Sequence, residues 1–233
     1  MNKSTSIDFL GIKNNSKVLL VYPHPDDETC CNAGLIQKLV RKCINPFVLC
    51  LTKGGASTLA FSLKQRGQLT DVRKNEFEKV MQFLGVINYE MLNLVDGELT
   101  TDKNLVYEII KEQIYTLKPD YVVTYEPSGI YGHPDHIVIS KIVTEIAKTI
   151  PFTLIYSTVD RNYKSSESSL KMANNPHGVK PMEPNFQLKL TFTEYIKKLK
   201  ALKLYRSQIS VKQELPHKIY QTIKMLNEFY FLR

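Results

Sequence analysis

Short apolar, β-rich runs alternate with stretches of helical periodicity along the first two thirds of this chain, and that alternation constrains its fold most. Val18, Leu19, Leu20, Val21 and Tyr22 form an unbroken run, which is what a strand buried on both faces requires. A helical pattern follows over residues 29–42, with Ala33, Ile36, Leu39 and Val40 on one side. Residues 47–52 read as a second strand ending at Lys53, Gly54 and Gly55. A helix opened by Thr70 or Asp71 carries Phe77, Val80, Met81 and Leu84 as its stripe and stops at Gly85. Strands over 89–94, 121–125 and 152–156 alternate with helices over 104–117 and 137–150. Residues 158–184 read as a long loop, followed by a strand over 186–190 and helices from Thr193 and Pro216.

The pattern predicts an α/β fold: a Rossmann-like parallel sheet of order 3-2-1-4-5, helices on both faces, and C-terminal strand and helix additions. At 233 residues the chain fits a single domain, 1–233, with a core over about 17–157 and a C-terminal region over about 158–233. The glycine-rich dinucleotide fingerprint is missing after the first strand, which excludes a plain nicotinamide-binding unit.

Two polar clusters occupy the positions where ligands bind in such sheets. Pro23-His24-Pro25-Asp26-Asp27-Glu28 follows the first strand, and Gly132-His133-Pro134-Asp135-His136 follows the fourth. In the expected strand order these two strands are neighbours at the switch point, so the clusters face each other across one crevice. His24 and Asp27 are three residues apart, as are His133 and His136, and i,i+3 residues share a helix face. Imidazole and carboxylate at that spacing suit a zinc-like divalent ion with an open position. Taken singly, each cluster is also what a helix N-terminus looks like, with an Asp capping and a Pro in the first turn.

These motifs, with Arg73 and Glu76 in an Arg-x-x-Glu helix and the pair Asp96-Gly97, resemble the PIG-L/LmbE-like family of zinc-dependent N-acetylglucosaminyl deacetylases. Lys200-Ala201-Leu202 and Ser207-Gln208 also resemble that family's C-terminal helix. The resemblance implies one Zn2+ held by His24, Asp27 and His136. It implies Asp26 as general base and His133 as electrostatic stabiliser or general acid. Asp135 would orient His133 by accepting its other N–H, and Arg73 and Asp96 would contact the substrate. The implied reaction removes acetyl from an N-acetylated amino sugar conjugate, releasing acetate and a free amine. A metal-dependent amidase on a non-sugar N-acyl substrate is the alternative within enzymes.

The formal charge of +8 raises nucleic acid as a partner, and its distribution weakens that reading. Residues 186–224 hold nine basic residues against Glu194 and Glu214, a net of +7, so the rest of the chain is nearly neutral. No nucleic-acid motif accompanies the lysines, which at helical spacing read as a solvated face. No nucleic acid is expected; the basic third favours a small anionic substrate, and a homo-oligomer is compatible with the sequence. Cys30, Cys31, Cys43 and Cys50 form no CxxC pair and read as small core residues. No apolar run is long enough to cross a membrane and no signal-peptide core opens the sequence, so a cytoplasmic location is expected. His177 and His217 read as surface or capping residues.

Overall fold

The computed structural model describes residues 9–57, 68–165, 167–173, 178–208 and 226–233. A 3-10 turn at Phe9–Gly11 leads into β1 (Val18–Tyr22), α1 (Asp27–Arg41), β2 (Phe47–Thr52), α2 (Leu69–Leu84) and β3 (Asn88–Leu94). Next come α3 (Lys103–Leu117), β4 (Tyr121–Tyr125), α4 (Gly129–Gly132), α5 (Pro134–Ile146) and β5 (Thr153–Thr158). The C-terminal third adds α6 (Glu167–Met172), β6 (Phe186–Lys189), α7 (Phe192–Leu202), a 3-10 turn at Arg206–Gln208 and β7 (Asn227–Leu232).

The seven strands form one sheet of order β3-β2-β1-β4-β5-β7-β6. The first five are parallel, and β7 runs antiparallel to both β5 and β6. The expected 3-2-1-4-5 order is therefore present, extended at one edge by the C-terminal third. Alternate residues of each central strand feed opposite cores, as the period of two dictates. Leu20, Tyr22, Val48, Cys50, Val123 and Tyr125 pack with Leu35, Phe77 and Val80 from α1 and α2. Leu19, Val21, Leu49, Leu51 and Val122 pack on the other face with Ile110 from α3 and Ile139 and Val143 from α5. Each such side chain, removed from water, contributes about 1.5–3 kcal/mol before conformational entropy is set against it.

Three expectations are corrected. α5 spans Pro134–Ile146 rather than 137–150, because the His133 side chain caps the helix with Pro134 in its first turn. The expected loop over 158–184 contains the one-turn-and-a-half α6. Asn227–Leu232, where no strand is expected, forms one held between β5 and β6, with Tyr230 buried in the core. That strand is hard to read because the buried Glu228 interrupts its apolar pattern. His177, His217 and the helix expected from Pro216 lie outside the described residues.

In the parallel register Leu19 sits beside Phe47 on one side and Val122 on the other, so β1 and β4 end together. Chains leaving a sheet in opposite directions at neighbouring strands open a crevice there. Both polar clusters lie at that opening.

Candidate active site

β1 delivers Pro23, His24, Pro25 and Asp26 to the crevice, and α1 begins at Asp27. Asp26 has φ 101° and ψ −27°, a conformation that L-residues rarely adopt. Its carbonyl accepts from the N–H groups of Thr29 and Cys30, which starts the helix. Its own N–H donates to Glu28 Oε2 at 3.1 Å, and Arg73 lies 3.5 Å from its carboxylate. The Asp26 side chain retains 23% exposure, so water can reach it, whereas Asp27 is 10% exposed.

β4 ends at Tyr125, and Glu126 folds the turn that follows. Its carboxylate accepts from the Ser128 and Ile130 N–H groups at 2.9 and 2.8 Å and from Met182 N–H at 3.2 Å. Gly129 has φ +66°, and a Cβ there would stand 2.8 Å from His136 Cβ, so the turn requires glycine. α5 then presents His136 into the crevice.

The centre is a compact set of donors. Asp27 Oδ2 lies 3.2 Å from His24 Nδ1 and 3.6 Å from His136 Nε2. Two ligands each about 2.1 Å from one tetrahedral ion stand ~3.4 Å apart, so these separations fit a shared ion. Tyr125 helps fix two of the three donors: its hydroxyl donates to Asp27 Oδ1 at 2.7 Å, and its ring stacks on His136 at 4.1 Å between centroids.

Backbone contacts set opposite tautomers on the two histidines of α5. His136 Nδ1 lies 3.3 Å from the Gly129 carbonyl, which can only accept, so Nδ1 carries the proton and Nε2 presents a lone pair. That Nε2 is buried and has no hydrogen-bond partner among the described residues. His133 Nδ1 instead accepts the Asp135 N–H at 3.2 Å, so the proton of its neutral ring is on Nε2. The donors of His24, His133 and His136 all lie within 4.8 Å of one another, yet His133 is held in the donor form. His24 Nε2 faces Asp96 Oδ1 at 2.9 Å and Asp135 Oδ2 at 3.3 Å, which leaves Nδ1 as the atom turned to Asp27. An imidazole whose far nitrogen is anchored on carboxylate or carbonyl is the usual outer support of a metal ligand.

Charges follow from these contacts. Burial lowers the His136 imidazole to about 3 despite the opposing pull of Asp27, so it is neutral. Burial also lowers His133, and the charge of His24 adds to the effect. For His24 burial acts downward, but its bonds to Asp135, Asp27 and Asp96 prevail and hold it well above the usual histidine range. Burial raises the Asp26 carboxyl to about 7 against the attraction of Arg73, with Asp27 pushing the same way as burial. Asp27 goes the other way: His136 and His24 overcome its burial and keep it ionised.

The structure thus brings His24, Asp26, Asp27, His133, Asp135 and His136 into one crevice. It corrects one expectation about contacts, that of Asp135, and shows what Arg73 and Asp96 touch within the chain. The Asp135 carboxylate does not take an N–H of His133; its Oδ2 meets His24 Nε2 and the Gly97 N–H at 2.8 Å, and the Asp135–His133 bond runs through the backbone. Arg73 is 3% exposed, donates Nη1 to the Gly54 carbonyl and Nη2 to the Pro25 carbonyl, and braces the crevice wall. Both Asp96 oxygens are also engaged, Oδ1 with His24 and Oδ2 with the Ala56 N–H at 2.9 Å. Tyr125, Glu126 and Glu28 went unread in the sequence. The available signal was position, since Tyr125 and Glu126 directly end β4 and Glu28 closes the first motif.

A family model described as PIG-L, GlcNAc-PI de-N-acetylase, matches residues 19–147, more than half the chain and inclusive of both clusters. The chain belongs to the PIG-L family. Membership makes it an enzyme of the N-deacetylase class, a hydrolase of amide bonds. A probable N-acetyl-alpha-D-glucosaminyl L-malate deacetylase 2 of Bacillus anthracis is 30% identical over 205 residues, 86% of this chain and 85% of the relative. A 1D-myo-inositol 2-acetamido-2-deoxy-alpha-D-glucopyranoside deacetylase of Mycolicibacterium vanbaalenii is 28% identical over 72% of this chain, which spans 66% of that relative. Among solved structures, an N,N'-diacetylchitobiose deacetylase of Pyrococcus horikoshii superposes with a TM-score of 0.70 at 24% identity. It covers 94% of this PIG-L chain and 84% of its own, which establishes the fold.

Proposed function

We propose that this PIG-L chain is a zinc-dependent enzyme that removes the acetyl group from a small N-acetylglucosaminyl conjugate, releasing acetate and a free amine. The observation that carries the reading is the buried His136 Nε2, which has no hydrogen-bond partner among the described residues and faces Asp27 Oδ2, the ring's proton being held on Nδ1 by Gly129. His24 Nδ1, Asp27 Oδ2 and His136 Nε2 would hold the ion. A divalent ion so held supplies an acidified water and a Lewis acid for the acetamide oxygen. Asp26, next to Asp27 and open to water, takes the proton of the attacking water. His133 donates from Nε2 to the oxygen on which negative charge develops, a role its Asp135 N–H contact prepares. Protonated Asp26 then gives its proton to the departing nitrogen, which as an amine leaves far more readily than as an anion. Arg73, Asp96 and Asp135 keep the reacting groups in register.

The names of the curated relatives, which carry glucosaminyl malate and glucosaminyl inositol, support an amino sugar with a polar aglycone. The basic C-terminal third favours an aglycone bearing a carboxylate or phosphate. No helix among the described residues is long and apolar enough to cross a membrane, and the cysteines are unpaired, so we place the enzyme in the cytoplasm. β6 and β7 continue the sheet, which supports reading the chain as a single domain.

The test compares amine release from N-acetylglucosamine conjugates with that from N-acetyl amino acids. Preference for the sugars is expected. Release from the amino acids alone would assign the site to a different amide and overturn the substrate reading.

A further inference from the structure

Asp26 is an unlikely residue to find at φ 101°, and such a conformation persists only where the surroundings over-determine it. Two groups grip its backbone. Arg73 Nη2 donates to the preceding Pro25 carbonyl at 2.5 Å, and Glu28 Oε2 accepts the Asp26 N–H at 3.1 Å. Glu28 is 1% exposed and pairs with no cation among the described residues. Its other oxygen accepts the hydroxyls of Thr29 at 2.5 Å and Tyr205 at 2.7 Å. Tyr205, also 1% exposed, lies just beyond α7, 177 residues away in sequence.

The same segment grips the other arm. Ser207 donates its N–H and hydroxyl to Glu76 at 2.9 and 2.6 Å, and Glu76 lies one turn beyond Arg73 on α2. Residues 205–207 therefore clip the two helices that hold Asp26, one through Glu28 and one through the helix carrying Arg73. A buried carboxylate bonded to neutral donors, with no countercharge among the described residues, is a costly way to fill space. It accepts the backbone N–H of Asp26.

We propose that Glu28 and Tyr205 are positioning residues for Asp26: the C-terminal tyrosine orients the buried Glu28, which holds Asp26 in its left-handed conformation with the carboxylate towards the crevice. This deepens the reading above and rests on Asp26 as the base. Without the Glu28 acceptor, the Asp26 N–H loses its partner, the backbone relaxes to an ordinary conformation, and the carboxylate turns out of register with the attacking water.

Three variants separate positioning from mere packing. Glu28→Met keeps the volume and removes the acceptors. Tyr205→Phe removes one hydroxyl. Glu28→Gln can still offer its oxygen to Asp26, because the hydroxyls of Thr29 and Tyr205 can reverse to accept from its amide. Crystal structures should find the Asp26 φ outside the left-handed region in Glu28→Met and within it in Glu28→Gln; an unmoved φ in Glu28→Met overturns the proposal. In zinc-loaded protein, Glu28→Met and Tyr205→Phe should lower kcat roughly tenfold or more, the scale of a hydrogen bond to a charged group, with KM and zinc content unchanged. Glu28→Gln should stay within about threefold of the parent, because its oxygen still reaches Asp26. A fall in melting temperature with unchanged kcat in Glu28→Met and Tyr205→Phe would make the pair purely structural and sink the idea. If the parent protein releases no acetate from any N-acetyl sugar, the deacetylase reading fails, while the crystallographic comparison still decides the positioning role.

Discussion

His133 and His136 stand three residues apart, yet their backbone neighbours give them opposite tautomers and hence opposite uses. One presents a lone pair to Asp27, the other an N–H to whatever enters the crevice. Replacing His136 with alanine should abolish zinc binding, read as metal per chain after dialysis; full occupancy would remove it from the ligand set. Gly129→Ala should weaken zinc binding too, because the new Cβ meets His136 Cβ and the residue must keep a positive φ. Its stability cost, measured by urea unfolding, should exceed about 1 kcal/mol. The spacing of His24, Asp27, His133 and His136 was legible in the sequence because i,i+3 periodicity is local. The directions of Arg73, Asp96 and Asp135 were not, since each turns on a contact from a distant part of the chain: Arg73 with Pro25, Asp96 with His24, Asp135 with Gly97.

At the scale of elements, the C-terminal helix and strand hold α1 through buried charge. Glu228 on β7 accepts the Gly34 and Leu35 N–H groups of α1 at 2.7 and 2.8 Å and pairs with Lys198 on α7 at 2.7 Å. Lys198 is 1% exposed, so at least one of the lysines expected on a solvated face is a core ion. Glu228→Ala would strand that charge and should destabilise the fold by about 3–5 kcal/mol in urea unfolding. Glu194 makes a second tie, to Lys38 at 2.8 Å and Arg41 at 2.8 Å. Burial acts to raise its carboxyl, but the bonds from Lys38 and the Thr191 N–H prevail and lower it. A depressed folded value stabilises above the ordinary glutamate range and is lost as pH falls through the folded value. Glu194→Gln should therefore be less stable than the parent at neutral pH, with the gap closing below about pH 4, the ordinary glutamate range. A gap that stays constant down to acid pH would remove the ion pairs from the stability account. Helices α2 and α7 were legible from periodicity and their end residues. β7 was not, because its partners β5 and β6 lie far back in the chain and its buried Glu228 breaks the apolar alternation.

The whole molecule joins a nearly neutral catalytic half to a basic third that extends its sheet. A charge so placed acts on substrates, through steering and local concentration, more than on folding. At low salt, kcat/KM for an anionic N-acetyl sugar should exceed that for a neutral one, and salt should erase the difference. Equal values at low salt would reduce the charge to a solubility feature. The central claim is that His24, Asp27 and His136 hold one ion and that Asp26 moves the proton. It is tested most directly by stripping the protein with a chelator, returning zinc stepwise, and following acetate release from an N-acetylglucosaminyl conjugate. Activity should return in proportion and saturate at one equivalent, and Asp26→Ala should take up the same zinc while turning over roughly 10²–10⁴-fold more slowly. Undiminished release from the stripped protein, or full turnover by Asp26→Ala, would contradict it.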